Sequence, residues 1–144
     1  MMFKSVFVLA CLAASAMAQS IDIGAPANGS LVSSGTNIVV EVDRPDTLTG
    51  SQEVAIVIAI RSCFGGVCAN PADVLGSILY TGSFNPAFTS EPGTGSKPPH
   101  QNISVAIPST LQSGPATLSV THLSLVGAGP FPLFEIKNVT LNVA

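Results

Sequence analysis

The sequence has no tryptophan and a single tyrosine, so it offers no material for a sugar platform or paratope built on those rings. Charge is scarce too. Five Lys and Arg stand against eight Asp and Glu, 9% of the chain, for a formal net charge of −3. Nucleic acid is held through clustered Lys and Arg, so it is not the expected partner class. A polybasic membrane-surface module fails on the same ground. Long apolar runs are also missing. The run Val6 to Ala14 falls well short of the roughly 20 residues a membrane span needs. The C-terminal stretch Asn138 to Ala144 alternates in polarity, so it gives no lipid-anchor signal. The 47% hydrophobic content is nevertheless too high for a disordered tail.

What is present begins with a targeting pattern. Lys4 precedes the apolar run, and Ala16-Met17-Ala18 has the small-x-small form of a signal-peptidase site. Residues 1–18 read as a signal peptide and 19–144 as a single secreted domain, with Gln19 as the expected new N-terminus. Cleavage removes all three methionines and Cys11, leaving Cys63 and Cys68. Two cysteines in a secreted chain read as a disulfide. Gly65 and Gly66 between them allow the tight turn that this needs. A zinc site would require His100 and His122 as further ligands, and the spacing is not that of a Cys-x-x-Cys redox pair. No cofactor or metal is expected.

The rest of the chain alternates with period two between Gly- and Pro-rich turns, which reads as all-β. Ile38, Val40 and Val42 mark one strand. Val54, Ile56, Ile58 and Ile60 mark a second, apolar on both faces and so expected to be central and covered. Ser77 to Thr81, Ile103 to Ile107 and the weak Ile21 to Ile23 follow the same rule. In the last two strands the phase slips. Ala116, Leu118 and Val120 lie on one face but Leu123 and Leu125 on the other; Phe134 and Ile136 precede Val139, Leu141 and Val143 in the opposite phase. A β-bulge or a strand covered on both sides would account for it. The expected fold is an immunoglobulin-like or fibronectin-like β-sandwich of about seven strands. Glu91 to Pro99 reads as a long, untethered connection.

Three sequons, at Asn28, Asn102 and Asn138, become glycosylation candidates in a secreted chain. Alternation points Asn102 and Asn138 outward and Ile103 and Val139 inward. Catalytic patterns are weak, and no catalytic residue is assigned. His122 lies near Ser119 and Ser124, with Asp73 as a conceivable third member, but no Gly-x-Ser-x-Gly elbow accompanies it. It reads as a core or rim histidine satisfied by a backbone group, and His100 as a loop residue. No facing pair stands out among Asp43, Asp46 and Asp73 for glycoside hydrolysis. Val126 to Phe134 reads as a connection stiffened by Pro130 and Pro132. It presents Phe131, Leu133 and Phe134 either to a partner or as a plug on the core.

One order of segments is familiar: Val74-Leu75-Gly76-Ser77-Ile78-Leu79-Tyr80-Thr81-Gly82, then Gln101-Asn102-Ile103-Ser104-Val105, then Gly114-Pro115-Ala116-Thr117-Leu118-Ser119-Val120, then His122-Leu123-Ser124-Leu125-Val126-Gly127-Ala128, then Asn138-Val139-Thr140-Leu141. Together these resemble the necrosis-inducing secreted protein family of fungal effectors, from about Ile38 to Val143. The resemblance implies a non-enzymatic protein delivered to a host plant. It also implies binding to host immune kinases, with suppressed immunity or cell death as the outcome. Ile23 to Ser30, followed by Ser34-Gly35-Thr36, resembles instead the opening of fungal cell-wall proteins with an immunoglobulin-like module. That resemblance implies an extracellular interaction module with cell-wall polysaccharide as its partner.

Overall fold

The computed structural model describes residues 19–90, 93 and 95–144. The segment read as a signal peptide lies outside the described residues, as do Glu91, Pro92 and Thr94. Eight strands follow in chain order: β1 (Asp22–Ala25), β2 (Leu31–Val32), β3 (Asn37–Asp43), β4 (Ser51–Ser62), β5 (Ser77–Gly82), β6 (His100–Ala106), β7 (Gly114–Val126) and β8 (Phe131–Val143). They form a three-stranded sheet, β1-β3-β6, and a five-stranded sheet, β2-β8-β7-β4-β5. The expected all-β sandwich is found, with one strand more than the reading gave, because β2 has only two residues and no alternation to detect.

The alternating positions build the core. Val40 and Val42 of β3 and Ile103 and Val105 of β6 share one buried cluster with Ile56, Ile58 and Ile60 of β4. Leu118 and Val120 of β7 and Leu141 of β8 belong to it too, as do Ile21, Val32 and Phe84. Each such side chain contributes roughly 1.5–3 kcal/mol when fully buried. The residues before β2 tie the first segment to the last strand. Gly29 N donates to Thr140 O at 2.7 Å, and Asn142 N donates to Ser30 O at 2.9 Å. Only the C-terminal end of β8 pairs with β2; Leu31 stands opposite Asn142 and Val32 opposite Val143.

Several local expectations need correction. The phase slips in β7 and β8 are not bulges, because those strands pair in unbroken register from Gly114↔Val143 to Val126↔Phe131. The irregularities fall elsewhere: Val54 is the extra residue of β4 against β7, Leu79 that of β5 against β4, and Gly24 that of β1 against β3. β4 is covered on both sides only along part of its length. It is central, between β7 and β5, but its outward face is covered unevenly: Ala59 is fully buried, Ala55 and Val57 are half-buried, and Val54 is exposed. The β7–β8 connection is only Gly127 to Pro130, so Phe131, Leu133 and Phe134 belong to β8. His100 opens β6 rather than lying in a loop, and its Nδ1 bonds Pro98 O at 2.8 Å. The Glu91–Pro99 connection is tethered at its end. Lys97 pairs with Glu41 at 2.5 Å, and Arg44 N donates to Pro99 O at 2.7 Å.

Cys63 and Cys68 form a disulfide just after β4. Between them Gly65 and Gly66 take φ of 60° and 78°, a left-handed pair that side-chain-bearing residues resist. Val67 N closes the turn on Phe64 O at 3.0 Å. Closing so short a loop contributes about 2 kcal/mol in the chain-entropy account. Replacing both cysteines by serine should therefore lower the unfolding free energy by about 2 kcal/mol, read from denaturant midpoints. A change near zero would show that the turn forms unaided.

Candidate functional site

The phase slips mark one end of the sandwich, and the reason is chemical. On the inward face, β7 runs Ala116, Leu118, Val120, then His122 and Ser124, and all five are buried. The partners of the last two on β8 are Glu135 and Leu133, and on β4 they are Ile56 and Glu53. The interior thus turns polar at this end, and the apolar residues Leu123, Phe134 and Ile136 move to the outward face. Alternation inverts while the backbone register continues.

His122 is fully buried. Its Nδ1 bonds Glu135 Oε1 at 2.9 Å, and its Nε2 bonds Glu53 Oε2. Phe84 closes over it edge-on, with ring centroids 5.6 Å apart. Glu53 also pairs with Arg44 through Nε at 3.1 Å. Arg44 donates further to Pro45 O, to Ser51 Oγ at 2.6 Å and to Gln19 Oε1. Gln19 Nε2 in turn reaches Thr47 Oγ1 at 2.6 Å and Thr49 O at 2.8 Å. On the other flank Glu135 accepts from Ser20 Oγ at 2.5 Å and Ile21 N at 2.9 Å. Two cations and two carboxylates balance, and they fasten Gln19 and Ser20, the β3–β4 connection, β4, β7 and β8 together. A polar cleft of about 500 Å³ opens over Arg44 and Glu53, lined also by Phe84 and Asn85.

The titration of the cluster follows from this geometry. Burial alone would lower the His122 pKa, but the hydrogen bonds and charges of Glu135 and Glu53 raise it above the ordinary value. Burial would raise Glu53, but the His122 bond and the charges of His122 and Arg44 hold it low. Glu135 is likewise held low, against burial, by His122, Ser20 and the Ile21 amide. Protonated histidine between ionised carboxylates is the state the site favours.

The Nis1 family model matches residues 16–142. The chain belongs to the Nis1 family. That family is of the fungal effector type, in agreement with the sequence resemblance. No curated protein sequence matches. Among solved structures, a cellulose-active polysaccharide monooxygenase from M. thermophila is 16% identical with a TM-score of 0.46. The match covers 82% of this chain, which spans 54% of the monooxygenase. A chain in a solved structure of T cell activation by the bacterial superantigen toxic shock syndrome toxin-1 is 14% identical with a TM-score of 0.45, over 87% of this chain and 98% of that one. Likenesses at these scores carry no argument about function.

On this Nis1-family scaffold the sequence candidates fall as follows. Phe131 and Phe134 are 57% and 64% exposed, and Leu133 is half-buried. They do not share one face: Phe131 and Leu133 have the inward parity of Glu135, whereas Phe134 has the outward parity of Ile136. Ser119 lies on the opposite face of β7 from His122, and Asp73 is exposed in a turn away from it. Ser124 shares the His122 face, but both ring nitrogens already hold carboxylates, and Ser124 Oγ has no hydrogen-bond partner. The backbone partner expected for His122 is thus replaced by two side chains. Asp43 is half-buried and held above the ordinary carboxyl value, first by burial and then by the charge of Glu41. Asn28, Asn102 and Asn138 are all exposed, and Asn28 Oδ1 accepts from Thr140 N at 2.8 Å.

Sequence reasoning missed Gln19, Arg44, Glu53 and Glu135 as one site. One signal was available: Glu135 stands in the inward phase of Val139, Leu141 and Val143, where a charge needs a buried partner.

Because His122 is raised, its contribution is complete below the ordinary imidazole value of 6.5 and is lost as pH rises through its folded value. Because Glu53 and Glu135 are lowered, theirs is complete above 4.5 and is lost as pH falls through their folded values. Thermal melts should show greatest stability between those two ordinary values, with a decline on both sides. His122→Gln should remove the alkaline decline and cost about 3–5 kcal/mol, because carboxylates remain buried without their cation. An unchanged alkaline limb in the variant would contradict the assignment.

Proposed function

We propose that this chain is a secreted, non-enzymatic effector that binds a host protein, with plant immune kinases as the partner class and altered immunity or cell death as the consequence. The observation that carries the reading is the β7–β8 hairpin: two exposed phenylalanines on opposite faces of β8, in a chain of the Nis1 family. Paired backbone and two-torsion aromatic side chains lose little entropy on docking. Beyond its short pairing with β2, the outer edge of β8 carries no strand among the described residues. An edge of that kind accepts an added strand from a partner. The signal-like start of the sequence supports export. Among the described residues no helix is long and apolar enough to cross a membrane. Export would also bring glycans to Asn28, Asn102 and Asn138, all of which are exposed.

Purified protein is tested against plant receptor-associated kinase domains and against insoluble fungal wall. Phe131→Ala and Phe134→Ala should each weaken kinase binding about tenfold or more, equivalent to about 1.4 kcal/mol. Melting temperature should hardly move, since both rings are already in solvent. Retention on wall material alone would support the cell-wall module instead. A stability loss of about 3 kcal/mol would mark the rings as core plugs.

A further inference from the structure

The opposite end of the five-stranded sheet holds a feature that the effector reading does not use. Each other described cation has an acidic partner: Arg44 with Glu53, Lys97 with Glu41, Lys137 with Asp22 and His122 with Glu53 and Glu135. Arg61, at the end of β4, has none among the described residues, and its Nη1 is shielded from solvent without a hydrogen-bond partner. In a chain of net charge −3, an unmatched guanidinium is a notable exception.

The surroundings of Arg61 are organised. Its guanidinium carbon lies 5.9 Å from the centroid of the Phe64 ring. Phe64 belongs to the disulfide turn, whose backbone is closed on itself and anchored by Cys63 N donating to Pro115 O at 2.8 Å. At that distance the ring is within cation–π range of the guanidinium, and no protein group takes the Nη1 hydrogens. On the other side Gly76, at φ 87°, lets the chain pass so close that a Cβ there would stand 2.6 Å from the Arg61 Cβ. Arg61 and Phe64 line a cleft of about 310 Å³ together with Ser62, Ser77, Thr110 and Leu111. The cleft thus offers a cationic fork, several hydroxyl groups and an apolar wall, with no carboxylate among its lining residues.

We propose that this cleft binds a carboxylate carried on an apolar group, such as a peptide C-terminus ending in a hydrophobic residue. Arg61 takes the two oxygens in bidentate fashion, and Phe64 and Leu111 take the apolar substituent. The disulfide turn then has a task beyond stability: it holds Phe64 as the platform for the fork. The proposal is independent of the hairpin and of the effector reading.

The test is a titration of ¹⁵N-labelled full-length protein with N-acetylphenylalanine, followed by NMR, with N-acetylphenylalaninamide as the neutral control. Saturable shifts confined to the Arg61 side chain, Phe64, Ser77 and Thr110 are expected with the acid and not with the amide. Arg61→Lys should weaken the response several-fold and Arg61→Gln should abolish it, with the remaining spectrum unchanged. Cys63→Ser with Cys68→Ser should weaken it as well. Absence of saturable shifts, equal shifts with the amide, or an undiminished response in Arg61→Gln would overturn the proposal. Should a variant fail to fold, the contrast between acid and amide on the unaltered protein decides alone.

Discussion

An imidazole held between two carboxylates and shielded from water governs one end of this sandwich. Taking such charges from water costs several kcal/mol per ion, and only close pairing and complete hydrogen bonding return it. His122 meets that demand with both ring nitrogens, and Arg44 supplies the second positive charge. The consequences spread outward. Because the inward face is polar here, Leu123, Phe134 and Ile136 face outward. Because Glu135 must hold Ser20 and Ile21, the beginning of the described chain is drawn across β8. Because Arg44 must hold Gln19 and Ser51, the β3–β4 connection is fixed as well. The hairpin that displays Phe131 and Phe134 therefore grows from a rigid base.

Much of the fold was legible because sandwich strands bury alternate residues. Ile56, Ile58 and Ile60, or Ile103 and Val105, announce their inward face without any knowledge of the partner strand. The disulfide was legible because only two cysteines follow the signal-like segment. The cluster was not, for a reason of distance. His122 meets Glu53 across 69 residues and Glu135 across 13, and Ser20 meets Glu135 across 115. Local pattern carries no information about which buried charges will meet. What it did carry was the inverted alternation in β7 and β8. A bulge and a buried polar patch both invert a hydrophobic pattern, and only the unbroken pairing register distinguishes them.

The two ends of the large sheet are organised on opposite principles. At the hairpin end, charges are matched in a largely buried cluster, and Phe131 and Phe134 of β8 stand exposed. At the disulfide end, one cation is left unmatched in a cleft and steadied by a neighbouring ring. A protein with so little charge overall does not scatter it; four of its ionisable side chains are spent on one buried cluster. Burial of matched charge favours a single register, because slipping β8 by one residue would turn Glu135 away from His122.

The state of the His122 ring tests this account most directly. Side-chain ¹⁵N NMR on the native protein reports whether each ring nitrogen carries a proton. With the ring held between two carboxylates, both nitrogens should stay protonated at pH values above the ordinary 6.5, with strongly downfield ring N–H protons protected from solvent exchange. A single protonated nitrogen at or below that value, or ring protons exchanging freely with water, would contradict it.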